Sequence, residues 1–216
     1  KTSLLLGGDA TINHSNNDTR TISQRDSYSE EATYIDKDST NKLTQSWDAQ
    51  MRLEMEYQID SMNKIILRPQ IGYTHTNSAQ MNDYTYDRDS VRINDGYQNK
   101  NSLQEEINAS IRAIYNHKFA KAGRALTMQG NVSFKNTKGE TDTYAWDRMT
   151  NRALVDQYTL SGNNALNYSL RTSYVEPIYG KNHFLETALL LSGSSRNSVK
   201  DQYTMNSLTD DYQYDC

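Results

Sequence analysis

From Leu43 to Ile59 the chain reads LTQSWDAQMRLEMEYQI. Every odd position from Trp47 onward is apolar: Trp47, Ala49, Met51, Leu53, Met55, Tyr57 and Ile59. Every even position from Thr44 to Gln58 is polar or charged: Thr44, Ser46, Asp48, Gln50, Arg52, Glu54, Glu56 and Gln58. A two-residue period sustained this long makes a β-strand with one apolar and one polar face. Strands of soluble domains run about five to six residues, so this stretch is too long for an ordinary globular sheet. Its apolar face ends in aromatic residues, Trp47 and Tyr57, with aliphatic side chains between them. Ten steps of ~3.3 Å tilted by ~45° rise roughly 23 Å, close to the ~25 Å lipid-facing height of a transmembrane strand.

The rest of the chain repeats the pattern. A weaker alternation runs from Thr2 to Asn13, with Leu4, Leu6, Gly8, Ala10 and Ile12 on one side. After Asp60-Ser61-Met62-Asn63, a turn-forming stretch, Lys64 to Asn77 sets Ile65, Leu67, Pro69, Ile71 and Tyr73 on one face. Leu103 to Phe119 alternates imperfectly, and its apolar residues at 103, 107, 111 and 114 would also suit a helix. Its neighbours favour a strand: Ala120-Lys121-Ala122-Gly123 turns, and Leu126, Met128, Gly130, Val132 and Phe134 alternate straight afterwards. Leu154 to Tyr174 and Leu185 to Gly193, separated by the turn Tyr179-Gly180-Lys181-Asn182, complete about seven strands.

Short turns fall near 62, 121 and 180, spaced about 59 residues apart. Between them lie long polar stretches, Ser15 to Asn41, Ser78 to Asn101, Asn136 to about Asn151, and Ser194 to Cys216. Short turns at one end and long loops at the other are the asymmetry of a membrane barrel. Each polar stretch carries a tyrosine before an Asp/Asn/Ser-rich turn, as in Thr33-Tyr34-Ile35-Asp36 and Thr85-Tyr86-Asp87-Arg88. The β-type sequence that resumes after Asp89, Ser90-Val91-Arg92-Ile93, predicts that strands continue past the membrane as hairpin extensions. The expected fold is all-β: an antiparallel transmembrane β-barrel meander, residues 1–216 forming one partial domain of a larger barrel.

Composition fits this fold. Mean hydropathy of -0.89 and 35% hydrophobic residues are meagre for a large soluble core, but half of each barrel strand faces a polar interior. The 16 tyrosines and long alternating runs argue against disorder. No run of about 18 apolar residues exists, which excludes a transmembrane helix and leaves strands open. A net charge of -4 offers no footprint for nucleic acid. Cys216 is the one cysteine, so no internal disulfide is expected. Lys1 opens the chain without a signal peptide, as expected of a mature or truncated segment. Pro69 and Pro177 fall near the proposed strand ends.

Long strands, Tyr/Asn/Asp-rich hairpins and an aromatic girdle make the chain resemble the barrel part of TonB-dependent receptors and related outer-membrane barrels. The resemblance implies a fragment of a large barrel in the bacterial outer membrane of a Gram-negative cell. It also implies a plug domain and a periplasmic energy-coupling protein outside this chain.

The alternation nominates three groups of residues. Trp47, Tyr73, Phe134 and Tyr168 toward the loops, and Tyr57, Tyr115, Phe119, Tyr174 and Tyr179 toward the turns, read as two interfacial girdles; aromatic filler in a soluble sandwich is the plainer reading. Arg52, Glu54, Glu56, Arg68, Arg112 and Arg171 are expected on the lumen side, lining either a transport path or an unspecific ion-paired wall. A simple hairpin at 60–63 would set Glu56 opposite Arg68. Tyr84, Tyr86, Asp87, Tyr97, Tyr144, Trp146 and Asp147 could form a sugar- or peptide-binding loop surface; equally, such residues simply build turns.

No catalytic function is expected. His14, His75, His117 and His183 are dispersed, and the sequence has neither a Gly-rich phosphate loop nor zinc or EF-hand spacing. No cofactor and no metal are expected. The function expected is a segment of an outer-membrane receptor or transporter with the lipid bilayer as partner. A structural or adhesive barrel and a soluble all-β binding module stand as alternatives.

Overall fold

The computed structural model describes residues 2–179, 183–206 and 211–214. Every regular element among them is a strand: β1 (Ser3–Tyr28), β2 (Thr33–Gln58), β3 (Asn63–Arg88), β4 (Val91–Lys118), β5 (Ala125–Asp147), β6 (Arg152–Tyr179), β7 (His183–Asn206) and the short β8 (Asp211–Tyr214). They form one antiparallel sheet in chain order, β1 to β8, with β1 and β8 unpaired to each other. The fold is an all-β meander of 8 strands, one more than the alternation indicated.

The long polar stretches are strand, as the hairpin-extension reading required. What looked like loops are the outer halves of 23- to 28-residue strands, closed at 29–32, 89–90 and 148–151. Ser, Thr and Asn side chains hold these halves in register across β2 and β3. Thr40 donates to Asn82 at 2.8 Å, and the Ser46 and Thr76 hydroxyls meet at 3.3 Å. Cross-strand hydrogen bonds between short polar side chains can thus support a ladder without apolar packing. Tyr34, expected before a turn, follows one instead: the turn closes at Ser29–Ala32 and Thr33 already opens β2.

Local chemistry fixes the turns. Asp89 and Ser90 both take positive φ, 48° and 67°, as a two-residue type I′ hairpin demands. At the opposite end, the Asp60 carboxylate accepts the Met62 and Asn63 amides at 2.7 and 2.8 Å, closing β2 onto β3. Gly123, at φ 84°, shapes the β4–β5 turn, with the Phe184 ring where its side chain would be. The third short turn, 180–182, lies outside the described residues.

The β2–β3 register corrects one expectation. Arg52 pairs with Gln70 and Met55 with Leu67, which puts Glu54, not Glu56, across from Arg68. Their ion pair measures 2.9 Å, while Glu56 takes Lys64 at 2.8 Å. The hairpin turns one residue earlier than a simple count suggested, with Asp60 capping it from within, and this moves each cross-strand partner by two. Pro69 sits inside β3 rather than at its end. It has no N–H to give, and the β2–β3 ladder is interrupted at Leu53 and Glu54 beside it. Pro177 marks an irregularity in the β6–β7 pairing.

The described residues form no core. Among the described residues the buried apolar ones are Ala32, Ala145 and Ala165. One face carries Leu6, Met55, Leu67 and Leu191 along with the rest of the odd-numbered β2 set, mostly open to the surroundings. The opposite face carries Arg52, Arg68, Arg112 and Arg171. A contiguous apolar surface of this extent on a soluble monomer would be exceptional.

Reversing Arg68 to Glu is expected to lower the melting temperature, and Glu54→Arg in the same chain to restore it. Equal rescue by Glu56→Arg would place the register two residues away from the one described.

Candidate functional site

The apolar face has an ordered geometry. Following the pairings, the row through Trp47 passes His75, Glu105, Lys138 and Gly162. Tyr73 lies two residues beyond that row toward the short turns, Phe134 four and Tyr168 six. Six residues over four strand steps is about 20 Å along the strands against about 19 Å across them, a slope near 45°. The short turns descend likewise. The row of Lys64 passes Asn116, Thr127 and Ser173, and the third hairpin closes at Tyr179, six residues beyond Ser173. The turn-side aromatics descend less: Tyr57 and Tyr115 share a row, with Tyr174 two residues past it.

Seven of the nine girdle residues, Trp47, Tyr57, Tyr73, Tyr115, Phe134, Tyr168 and Tyr174, share this face, while Phe119 lies just past the end of β4 and Tyr179 beyond the β6–β7 irregularity. Several hydroxyls end on polar partners at its margins. Tyr73 donates to Glu105 at 3.1 Å, Tyr115 to Asn63 at 2.7 Å and Tyr174 to Glu176 at 2.7 Å. Trp47 stacks on His14 at 4.3 Å, and the Tyr168 hydroxyl covers Gly193.

At the short-turn end a charged cluster ties β6 to the β4–β5 turn. Glu176 accepts from Arg124 at 2.7 and 2.8 Å, from Lys121 at 2.6 Å and from Tyr174. These donors, Arg124 foremost, hold its carboxyl well below the usual carboxylate range. Phe119 lies at 6.1 Å from Tyr174, with the Arg124 guanidinium 5.8 Å from its ring centre. The sequence named these aromatics but not the ion cluster, whose members meet only through register.

The six residues expected on the lumen side, Arg52, Glu54, Glu56, Arg68, Arg112 and Arg171, do share the polar face. Only Glu54 and Arg68 bond to each other. Arg112 donates instead to Asn131 at 2.9 Å, and Asn131 to Ser169 at 3.2 Å, extending a polar ladder over three strands. Arg52 donates to Gln50 at 2.7 Å, and Arg171 stands opposite Gln129. Lys135 and Glu106 add another cross-strand pair at 2.9 Å. The surface is a wall of cross-strand polar bonds and ion pairs.

The seven loop candidates divide between the two faces. Tyr97, Tyr144 and Trp146 lie on the apolar-face side, with ring centres 6.2 Å apart for Tyr97–Tyr144 and 6.3 Å for Tyr144–Trp146. Tyr84 and Tyr86 lie on the polar-face side. Tyr84 covers Gly96, and Tyr86 stacks on Tyr34 at 5.7 Å. Asp87 is held by Arg92. Asp147 caps the 148–151 turn, accepting from the Thr150 hydroxyl, which foremost lowers its pKa, and from the Thr150 and Met149 amides at 3.2 and 2.8 Å. These two carboxylates build turns, the plainer of their two readings.

Arg148, which the sequence did not single out, joins two hairpins. It bonds Asp83 and, at 2.9 Å, Asp95, and its guanidinium sits 5.2 Å from the Tyr97 ring centre. Beyond it Tyr158, Tyr203 and Tyr214 continue the aromatic surface, at 6.3 and 5.4 Å between successive centres. Asp156 accepts from Tyr212 at 2.8 Å, which pushes that hydroxyl up to about 12. Period-two counting through Tyr144 and Trp146 would have found part of this set; the register supplies the rest.

No family model matches the chain, and no curated protein matches it.

Glu176 gives a pH signature. Its folded pKa is lowered from an ordinary 4.5, so its stabilising ties are fully present above that value and fade as pH falls toward the folded one. The Arg124 side-chain N–H resonance is therefore expected to hold its position through the ordinary carboxylate range and shift only below it. Glu176→Gln should abolish the late shift, and a shift centred at the ordinary value would contradict the cluster. Separately, Arg148→Met is expected to speed amide exchange around Asp83 and Asp95 while leaving β1 unchanged.

Proposed function

We propose that this chain is part of the wall of a bacterial outer-membrane β-barrel that serves as a receptor or transporter. The observation that carries the reading is the slanted apolar belt on a sheet without a core. Strands in outer-membrane barrels tilt by about 35–45°, so a belt that is level in the bilayer must descend across the strands by about the slope seen here. The loop-side aromatics and the hairpin ends both descend six residues over four strands. A soluble module has no reason to keep that geometry on an uncovered face.

The bilayer then supplies what the sheet lacks. Leu, Ile, Met and aromatic side chains each contribute roughly 1.5–3 kcal/mol when fully removed from water. In hydrocarbon an unpaired backbone group costs several kcal/mol, so β1 and β7 both require neighbouring strands to close a larger barrel. The polar face becomes the lumen wall and the outer halves of the hairpins rise from the cell surface. Tyr34, Tyr84 and Tyr86 then face the entrance and are the residues placed to meet an incoming ligand. The paired charges of the wall, Glu54–Arg68, Glu56–Lys64 and Glu106–Lys135, favour a second reading in which the barrel is structural or adhesive.

Replacing Leu53, midway along the belt, by Arg is expected to cost about 2–4 kcal/mol of folding stability in bilayers, whereas Gln50→Arg on the polar face should cost little. With Trp146 replaced by Phe, Trp47 becomes the one tryptophan, and bromine-labelled lipid is expected to quench it. A monomer that folds without detergent or lipid, with Trp47 unquenched, would exclude the membrane reading.

A further inference from the structure

Above the belt, the apolar face does not revert to an ordinary polar surface. Rings and carboxylates interleave there in register. Asp142 stands opposite Tyr158, Tyr158 opposite Tyr203, and Tyr144 opposite Asp156. The rings pack edge and face against one another at 5.4 to 6.3 Å rather than being covered by a second layer.

Three facts narrow what could lie against this surface. It is on the side of the sheet that carries the lipid belt, so a solute inside the lumen would not meet it. Its height is the second. Asp142 and Trp146 are eight and twelve residues beyond Phe134, the belt edge in β5. At ~3.3 Å per residue and ~45° tilt, that is about 19–28 Å above the lipid boundary, beyond the reach of a phosphate headgroup. Charge is the third. Carboxylates stand among the rings, which disfavours an anionic partner, and Arg148 is already engaged by Asp83 and Asp95.

We propose that this surface binds the neutral sugar chain of a glycolipid in the surrounding outer leaflet. Sugar rings present C–H faces that stack on Tyr and Trp, and their hydroxyls donate to Asp142 and Asp156. A chain anchored in the same leaflet arrives already concentrated beside the wall, so weak stacking at each ring suffices. The proposal rests on the belt being lipid-facing, and the two tryptophans of the chain allow the two ideas to be tested apart.

In the full chain with Trp47→Phe, reconstituted in phospholipid vesicles, Trp146 reports on the surface. Lipopolysaccharide bearing a neutral repeating sugar chain is expected to shift its emission, and the truncated form lacking that chain to leave it unchanged. Tyr158→Ala should raise the half-saturating glycolipid content about tenfold. Asp142→Asn, a change too small to disturb folding, should raise it in the same direction. An equal response to the truncated glycolipid, or to the free polysaccharide at the same sugar concentration, overturns the proposal. So does a silent Trp146 in vesicles where the Trp146→Phe protein shows Trp47 quenched by bromine-labelled lipid. If Trp47 is not quenched, the lipid-facing reading itself falls.

Discussion

Backbone pairing between sequential strands is the interaction on which everything else in this structure depends. Among the described residues there is no second layer for side chains to pack into, and the buried apolar ones are three alanines. The ladder fixes which side chains stand beside one another, and through them the two faces, the turns and the ion pairs. Where the ladder falters, at Pro69, the cause is a missing N–H on a residue whose ring still belongs to the apolar face. The Glu54–Arg68 bridge lies beside that gap and spans the same two strands.

The two faces obey different rules. On the apolar face, composition changes with height: aliphatic residues in the belt, aromatics with hydrogen-bonded hydroxyls at its margins, then rings mixed with carboxylates. On the polar face, cross-strand pairs of Glu with Arg or Lys occupy the halves nearer the short turns, Asn, Ser and Thr run on beyond them, and Tyr34, Tyr84 and Tyr86 stand at the outer end. A sheet in uniform water would have no cause to confine its aliphatic residues to one band of one side. Solvation that varies along the strand supplies such a cause.

Much of this could be read from the sequence because a period of two survives any error in strand length. The faces of Trp47, Tyr115 and Arg112 follow from parity alone. Strand extent was harder: the segments around Asn17, Asn82 and Asn99 are polar on both sides, so alternation fades there although pairing continues. Register was harder still. It depends on how Asp60 caps its turn, and a two-residue difference moved the partner of Arg68 from Glu56 to Glu54 while leaving parity intact. Loop residues such as Tyr84 and Tyr97 look alike in one dimension and fall on opposite faces once pairing is known. Arg148 gave no periodic signal because its partners, Asp83 and Asp95, belong to a neighbouring hairpin.

The strict chain order of the sheet has a consequence for how such a wall can grow. Among the described residues each strand pairs only with its neighbours in sequence, and the sheet is built hairpin by hairpin. One hairpin is therefore a module whose removal or duplication preserves which residues stand on which face of every strand that remains. A single inserted residue does not: it inverts the rest of its strand. The width of the sheet can thus change two strands at a time by copying a stretch of sequence, while strand interiors are held to a strict parity.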